Sequence, residues 1–455
     1  VLPATILGSS ISFIDSSVVN VALPAMQRSL ETSLGTMQWV VNGYMLTLAS
    51  LILLGGSAGD RFGRRRTFMI GLVGFAAASL ACGLAPSAPW LVGARLAQGM
   101  AAALLTPASL AIIGAAYSGE ARGPAIGTWA AAGALTTALG PPLGGWLVDT
   151  IGWRSIFLIN LPIAAVALLI ALKLPADRGS ASADPLDRLG ALLAVLSLGL
   201  LSYGLIALGE GARIRGAAAV LAAVPAAGLF IRREMRAKAP MMPLSLFRDS
   251  NFSGANALTV LLYAALSGAL FLLPFLLIQV HGYSAMAAGA AFLPFSAIMG
   301  LGSRWSGGLA ERFGSRPALV IGPATTAAGF VILGLSGRDP SYWSGFLPGL
   351  IVVGIGMTIA VAPLTTTVFD SAPDDKSGTA SGINNAAARA GSLVAVAALG
   401  LAFGGMAPAD LGGDMLARAY GFVMFVAAAL GGLSALTAAL TISRRRNREE
   451  EQGAP

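Results

Sequence analysis

Gly56-Ser57-Ala58-Gly59-Asp60-Arg61-Phe62-Gly63-Arg64-Arg65-Arg66 is a short polar interruption between two long apolar runs. A degraded copy stands in the second half of the chain as Gly308-Leu309-Ala310-Glu311-Arg312-Phe313-Gly314-Ser315-Arg316. Both carry an acid–Arg–Phe–Gly core a few residues after a glycine. Both follow the second apolar run of a block of six such runs. Similarity at matching positions points to an internal duplication, the parallel-repeat pattern of proteins built from two equivalent six-helix halves.

Working outward from these loops, the apolar runs are about the ~20 residues that a membrane-spanning helix needs. Fourteen are read, six in the first half near 1–23, 38–58, 67–86, 89–116, 124–148 and 154–174. Two follow at 189–209 and 215–231, and six more near 252–280, 285–306, 317–336, 343–369, 384–406 and 416–443. Ten-residue alternating strands are absent from the sequence, which disfavours a barrel. The expected fold is therefore an all-α, polytopic membrane protein with two pseudo-symmetric six-helix halves and an inserted helix pair. The divisions are 1–174, 175–250 for the linker and inserted helices, 251–443, and a tail over 444–455. With the N-terminus inside, cytoplasmic segments hold 20 of the 29 Lys and Arg, outer segments six, and spans three. That asymmetry obeys the positive-inside rule and places both termini in the cytoplasm. Val1 already lies in an apolar run with no Met before it, which reads as a trimmed chain rather than as a cleaved signal peptide.

Composition agrees and closes alternatives. Only 11% of the 455 residues are charged and 56% are hydrophobic, against ~25% charged in an ordinary soluble domain. One cysteine, Cys82, and one histidine, His281, leave no disulfide and no His/Cys metal cluster. No lysine follows a glycine, so there is no Walker A loop. Neither cofactor nor metal is expected, nor enzymatic activity. The net charge of +8 reads as topogenic arginines rather than as a nucleic-acid surface, and the partners expected are lipid, protons and a small molecule.

Taken together, these motifs resemble the major facilitator superfamily, specifically its drug:proton antiporter branch with fourteen spans. The Asp60 loop is similar to that family's motif A. Leu91-Val92-Gly93-Ala94-Arg95-Leu96-Ala97-Gln98-Gly99-Met100-Ala101-Ala102-Ala103 on the fourth run resembles motif B. Gly133 through Gly140-Pro141-Pro142-Leu143-Gly144-Gly145 on the fifth resembles the antiporter motif C. Phe13-Ile14-Asp15-Ser16-Ser17-Val18-Val19-Asn20-Val21-Ala22-Leu23-Pro24 and Ser381-Gly382-Ile383-Asn384-Asn385 with Arg389 and Gly391 resemble signatures of the fourteen-span branch. The departures are Ala58-Gly59 where the family favours Leu-Ala, and Glu311 and Ser315 in the second loop where it favours Asp and Arg.

The residues then acquire expected roles. A carboxylate inside a span costs ~2.5–3.5 kcal/mol to insert and generally faces a cavity and works there. Asp15 is thus read as a proton-coupling group that also attracts a cationic substrate, or else as a structural carboxylate paired to a neighbouring helix. The resemblance implies that Arg95 takes part in proton transfer; its other reading is a polar anchor between spans 1 and 4. Gln98 shares its helix face, and Asp15 is its expected electrostatic partner. Gly56, Asp60, Arg61, Gly63, Arg64 and Arg65, with Glu311 and Arg312, read as a conformational latch. Gly140, Pro141, Pro142, Gly144 and Gly145 read as a kinked, closely packed helix that the resemblance associates with exporters. Asn20, Gln98, Asn384, Asn385 and Arg389 are candidate cavity residues. Arg389 could bind an anion or pair with the loop of its own half, and Tyr263, Phe271, Phe275, Phe292 and Met357 could supply apolar walls. The function implied is a proton-coupled exporter of hydrophobic, cationic small molecules or drugs in a bacterial inner membrane, acting as a monomer. Its alternatives are a symporter importing a nutrient and a membrane sensor.

Overall fold

The computed structural model describes residues 1–118, 121–175, 186–302, 314–337, 339–373, 376–403 and 413–443. Every regular element among them is helical. Twelve of these helices are long and apolar enough to cross a membrane. They are α1 (Leu2–Ser29), α2 (Leu34–Phe62), α3 (Arg64–Gly83), α4 (Ala88–Ala116), α7 (Arg188–Gly209), α8 (Arg213–Arg236), α9 (Ser250–Val280), α10 (Ala285–Gly302), α11 (Ser315–Ser336), α12 (Tyr342–Asp370), α13 (Ser377–Phe403) and α14 (Gly413–Thr441). Between α4 and α7 stand α5 (Arg122–Thr150) and the shorter apolar helix α6 (Ser155–Ala171). The glycines, threonines and paired prolines of α5 dilute its hydropathy, although it is 29 residues long.

Local signals set where the helices start. Ser33 accepts the Thr36 N–H at the head of α2, Asp187 the Gly190 N–H at α7, Asp249 the Phe252 N–H at α9 and Ser284 the Ala287 N–H at α10. Each satisfies a donor that the first helical turn leaves open. Gly63, at φ +96°, makes the sharp link from α2 to α3, and Gly314, at φ +80°, does the same before α11. These are equivalent glycines of the two quoted loops. Only glycine takes that backbone region freely.

Packing repeats with an offset of eight helices. In the first half α1 lies on α5 and α6, and α3 on α4 and α6. In the second, α9 lies on α13 and α14, and α11 on α12 and α14. The halves are joined by exchanged contacts of the same kind, α2 against α13 and α5 against α10. Helix α7 packs along α2 and α13 at this seam, and α8 packs chiefly on α7. Glycines permit the closest approaches. A Cβ on Gly55 would overlap the Ala103 carbonyl of α4, and one on Gly209 would come within 2.6 Å of Gly400 Cα.

Candidate functional site

The sharpest polar feature lies inside the first half. Asp15, in the middle of α1, and Arg95, near the start of α4, are almost wholly shielded from solvent, at 0% and 1% exposure. The Arg95 Nη1 group donates to Asp15 Oδ2 at 2.5 Å and to Gln98 Oε1 at 2.6 Å, and its Nε donates to the Val40 carbonyl at 3.0 Å. Gln98 Nε2 donates to Asp15 Oδ1 at 2.9 Å and to Ser79 Oγ at 2.8 Å, and Asn160 Nδ2 reaches that same Ser79 oxygen at 3.2 Å. The guanidinium also lies 4.4 Å from the ring centre of Tyr44, whose hydroxyl meets Ser12 Oγ at 2.7 Å. Both carboxylate oxygens of Asp15 thus have partners, as a buried charge requires. The juxtaposition of Asp15, Arg95 and Gln98 follows the sequence expectation. Ser79, Tyr44 and Asn160 belong to the same network, and as single polar residues in apolar runs they carry no sequence pattern.

A cavity of about 230 Å³ opens beside this network, between the halves. Its walls include Ser16, Asn20 and Thr137 from one half and Tyr263, Phe271, Phe292 and Arg389 from the other. Of the candidates read from the sequence, Asn20, Arg389, Tyr263, Phe271 and Phe292 line it. Gln98 is committed to the ion pair. Asn384 donates to Thr259 Oγ1 at 2.8 Å and Asn256 Oδ1 at 3.3 Å, while Asn385 is exposed and donates to the Ser381 carbonyl one turn back. Phe275 and Met357 are buried away from the cavity.

One end of the cavity is closed by the glycine-rich part of α5. A Cβ on Gly140 or Gly144 would overlap Ser17 or Val18 of α1, and one on Gly145 would overlap the Ala285 carbonyl of α10. Gly289 of α10 in turn faces the Pro141 carbonyl, and Pro141 itself lines the cavity. Pro141 and Pro142 stand inside one continuous helix. Asp149, not singled out in the sequence, accepts the backbone N–H groups of Ala285 at 3.1 Å and Met286 at 2.8 Å, so a side chain of one half caps a helix of the other. A carboxylate at a helix N-terminus is well placed for the helix dipole. Its sequence signal is weak, an acid four residues after Gly145.

At the opposite end, Asp60 is exposed and pairs with Arg64 at 3.5 Å. Arg65 Nη2 donates to the Leu172 carbonyl at 2.7 Å, tying α3 to the chain just beyond α6. Arg61 lies on the exposed last turn of α2. A Cβ on Gly56 would meet only Pro107, at 3.9 Å, so the close approach in this region belongs to Gly55 instead. Glu311 and Arg312 lie outside the described residues.

Three comparisons bear on this arrangement. The family model described as Major Facilitator Superfamily matches residues 5–396. The chain is 37% identical over 405 residues to the multidrug resistance protein Stp of Mycobacterium tuberculosis, covering 88% of this chain and 74% of that one. It is 35% identical over 405 residues to the tetracenomycin C resistance and export protein of Streptomyces glaucescens, covering 88% and 75%. A crystal structure of a POT family transporter in complex with a thioalcohol-conjugated peptide superposes with a TM-score of 0.72 at 13% identity, covering 97% of this chain and 96% of that one. At that identity the likeness concerns the fold.

Proposed function

The chain belongs to the Major Facilitator Superfamily, and from that premise we propose that it is a proton-coupled exporter of hydrophobic small molecules. It is a multi-pass membrane transporter and not an enzyme. Its similarity to a multidrug resistance protein and to a tetracenomycin C resistance and export protein supports outward transport of drug-like compounds from a bacterial inner membrane.

The observation that carries the reading is the Asp15–Arg95 pair set directly behind a cavity shared by both halves. Proton arrival at Asp15 removes the carboxylate charge that Arg95 and Gln98 hold. The guanidinium is then a buried cation without its counter-ion, a costly state. Relief comes when α1 and α4 shift relative to one another. Because α1 also packs against Gly140 and Gly144 of α5, that shift is transmitted to the α5–α10 seal. Entering from the open outer side, the proton thereby drives this seal shut and turns the cavity inward, and its release on the inner side, with substrate taken up there, lets the seal reopen outward, an alternating-access cycle. A membrane potential supplies ~2.3 kcal/mol per charge per 100 mV, enough for one or two protons to sustain a useful gradient.

In this reading all fourteen helices span, the halves are 1–174 and 251–443, both termini are cytoplasmic, and the monomer suffices. The positions of α5 and α6 between two recognised spans, and the arginine asymmetry, support it. The loop around Asp60 acts as the inner latch between halves.

The test is transport in proteoliposomes with an acidic lumen. External addition of an exported compound should release lumenal protons, and Asp15→Asn should abolish the coupling while the protein still purifies as a monodisperse monomer. Movement of protons and compound in the same direction would overturn the exporter reading.

A further inference from the structure

The charge of the substrate is where the structure adds most. Asp15, on which the sequence rested an affinity for cations, is fully buried behind Arg95 and is not on the cavity wall. The other acids of the chain fall at helix ends or between the runs read as spans. Among the described residues that line the cavity, Arg389 is the one charged group, and its hydrogen bond there is to Met45 Sδ, at 3.7 Å. A guanidinium at such a site, met by a thioether and not a carboxylate, has most of its five donors left for a solute.

The neutral walls agree. The hydroxyls of Ser16, Ser17 and Thr137 donate to carbonyls of their own helices, and Ser267 donates to Ser392, which donates to Ala388. Their protons are spent. The side chains of Asn20, Tyr263 and Ser296 have no hydrogen-bond partner among the described residues and remain available in the same cavity as Arg389. The rings of Phe271, Phe292 and Phe295 line the same cavity. The cavity thus offers a guanidinium, neutral donors and aromatic surface together.

Resting on the exporter reading above, we propose that the substrate is an amphipathic organic acid, a ring system bearing a carboxylate or phenolate, with Arg389 as its anion-binding residue. Planar, bidentate recognition of a carboxylate is what a guanidinium provides and an ammonium does not. The charge also suits the direction of transport. An anion leaving and a proton entering move charge the same way, so a cycle that exchanges one for the other is driven by the membrane potential as well as by the pH gradient. A monocation exchanged for one proton would move no net charge.

Two probes of one shape separate the possibilities, 2-naphthoate and 2-naphthylmethylammonium, which carry opposite charges at neutral pH. Binding is measured by calorimetry on the purified full chain in phosphatidylcholine nanodiscs. The expected result is at least a tenfold preference for the naphthoate, lost in Arg389→Gln and only weakened in Arg389→Lys. Both variants must elute as the wild type does on gel filtration, and Arg389→Lys guards against a folding defect in the glutamine variant. Equal or tighter binding of the ammonium by the wild type, or a preference that survives Arg389→Gln, would overturn the proposal. Transport then separates this inference from its premise. Uptake of naphthoate that is independent of proton movement removes the coupled-exporter reading and leaves Arg389 as an anion site. Proton-coupled transport of the ammonium with naphthoate excluded keeps the exporter and removes the anion site.

Discussion

Asp149, on the last turn of α5, holds the backbone N–H groups of Ala285 and Met286 at the head of α10, and so one half of the protein caps a helix of the other. The two bonds lie at the closed end of the cavity, beside the contact between Gly145 and the Ala285 backbone. They form only while α5 and α10 are together, and therefore favour the conformation closed at this end.

Replacing Asp149 with Ala should release that closure. Hydrogen bonds to a charged group contribute ~1.5–3 kcal/mol each, and ~1.4 kcal/mol is a tenfold change in an equilibrium. Loss of the pair, ~3–6 kcal/mol together, should raise the population open at this end by about two to four orders of magnitude, less whatever water recovers. Spin labels at Ile151 and Trp343, both exposed, in a Cys82→Ser background report the separation of the halves. A distance distribution unchanged by Asp149→Ala would deny the carboxylate this role.

The ion pair makes a prediction about stability that is separate from its role in transport. Removing one member of a buried pair leaves an uncompensated charge, at a cost of ~3–5 kcal/mol, whereas removing both charges is often close to neutral. Arg95→Gln should therefore melt well below the wild type in detergent, and Asp15→Asn combined with Arg95→Gln should recover most of the loss. If the double variant is no more stable than Arg95→Gln alone, Asp15 and Arg95 are not coupled as the geometry has them.

Gly55 and Gly56 illustrate what the sequence could reveal and what it could not. The repeated loop and the apolar run lengths are one-dimensional regularities, and so the helical fold was legible in the chain. The meeting of Asp15, Arg95 and Gln98 was foreseeable too, because few polar groups stand inside apolar runs and each must find a partner. Helix rotation was not foreseeable. It decides that Gly55 and not its neighbour faces the α4 backbone, that Asn385 points out while Asn384 is bonded inward, and that Asp15 stands off the cavity wall. Two adjacent residues in a helix differ by about 100°, and an apolar run buried on most sides has no moment to fix that angle. Asp149 escaped notice because a carboxylate at a helix end is common, and only the fold brings another helix to it.

The glycine contrast is itself testable. Gly55→Ala forces a Cβ into the Ala103 carbonyl, and backbone cannot yield cheaply. It should reduce the yield of folded protein sharply or lower its melting temperature. Gly56→Ala meets only Pro107 at 3.9 Å, and alanine is favoured over glycine within a helix by ~1 kcal/mol. It should be neutral to slightly stabilising by thermal melting, unless Gly56 is needed for motion, in which case transport falls while stability holds. Equal destabilisation by both substitutions would contradict the packing of α2 on α4.

The spanning of the inserted pair can be settled with the chain's own scarcity of thiols. Cys82 is buried and is the one cysteine, so a Cys82→Ser background gives single-cysteine reporters. Glu31 lies in the turn between α1 and α2, and Gly211, at φ +82°, in the turn between α7 and α8. Both should react with a membrane-impermeant maleimide on intact cells when replaced by cysteine. Lys238, just beyond α8, should react only after the membrane is permeabilised. The reasoning is parity: with the N-terminus inside, every odd span leads outward, so the turn after α7 faces out and the segment after α8 faces in. The salt bridge from Arg233 to Asp187, at 3.1 Å, ties the end of α8 to the start of α7 and requires those two ends to share a side. Labelling of Gly211→Cys and Lys238→Cys from the same side would mean that α8 does not cross, and would reverse the expected side of every later loop.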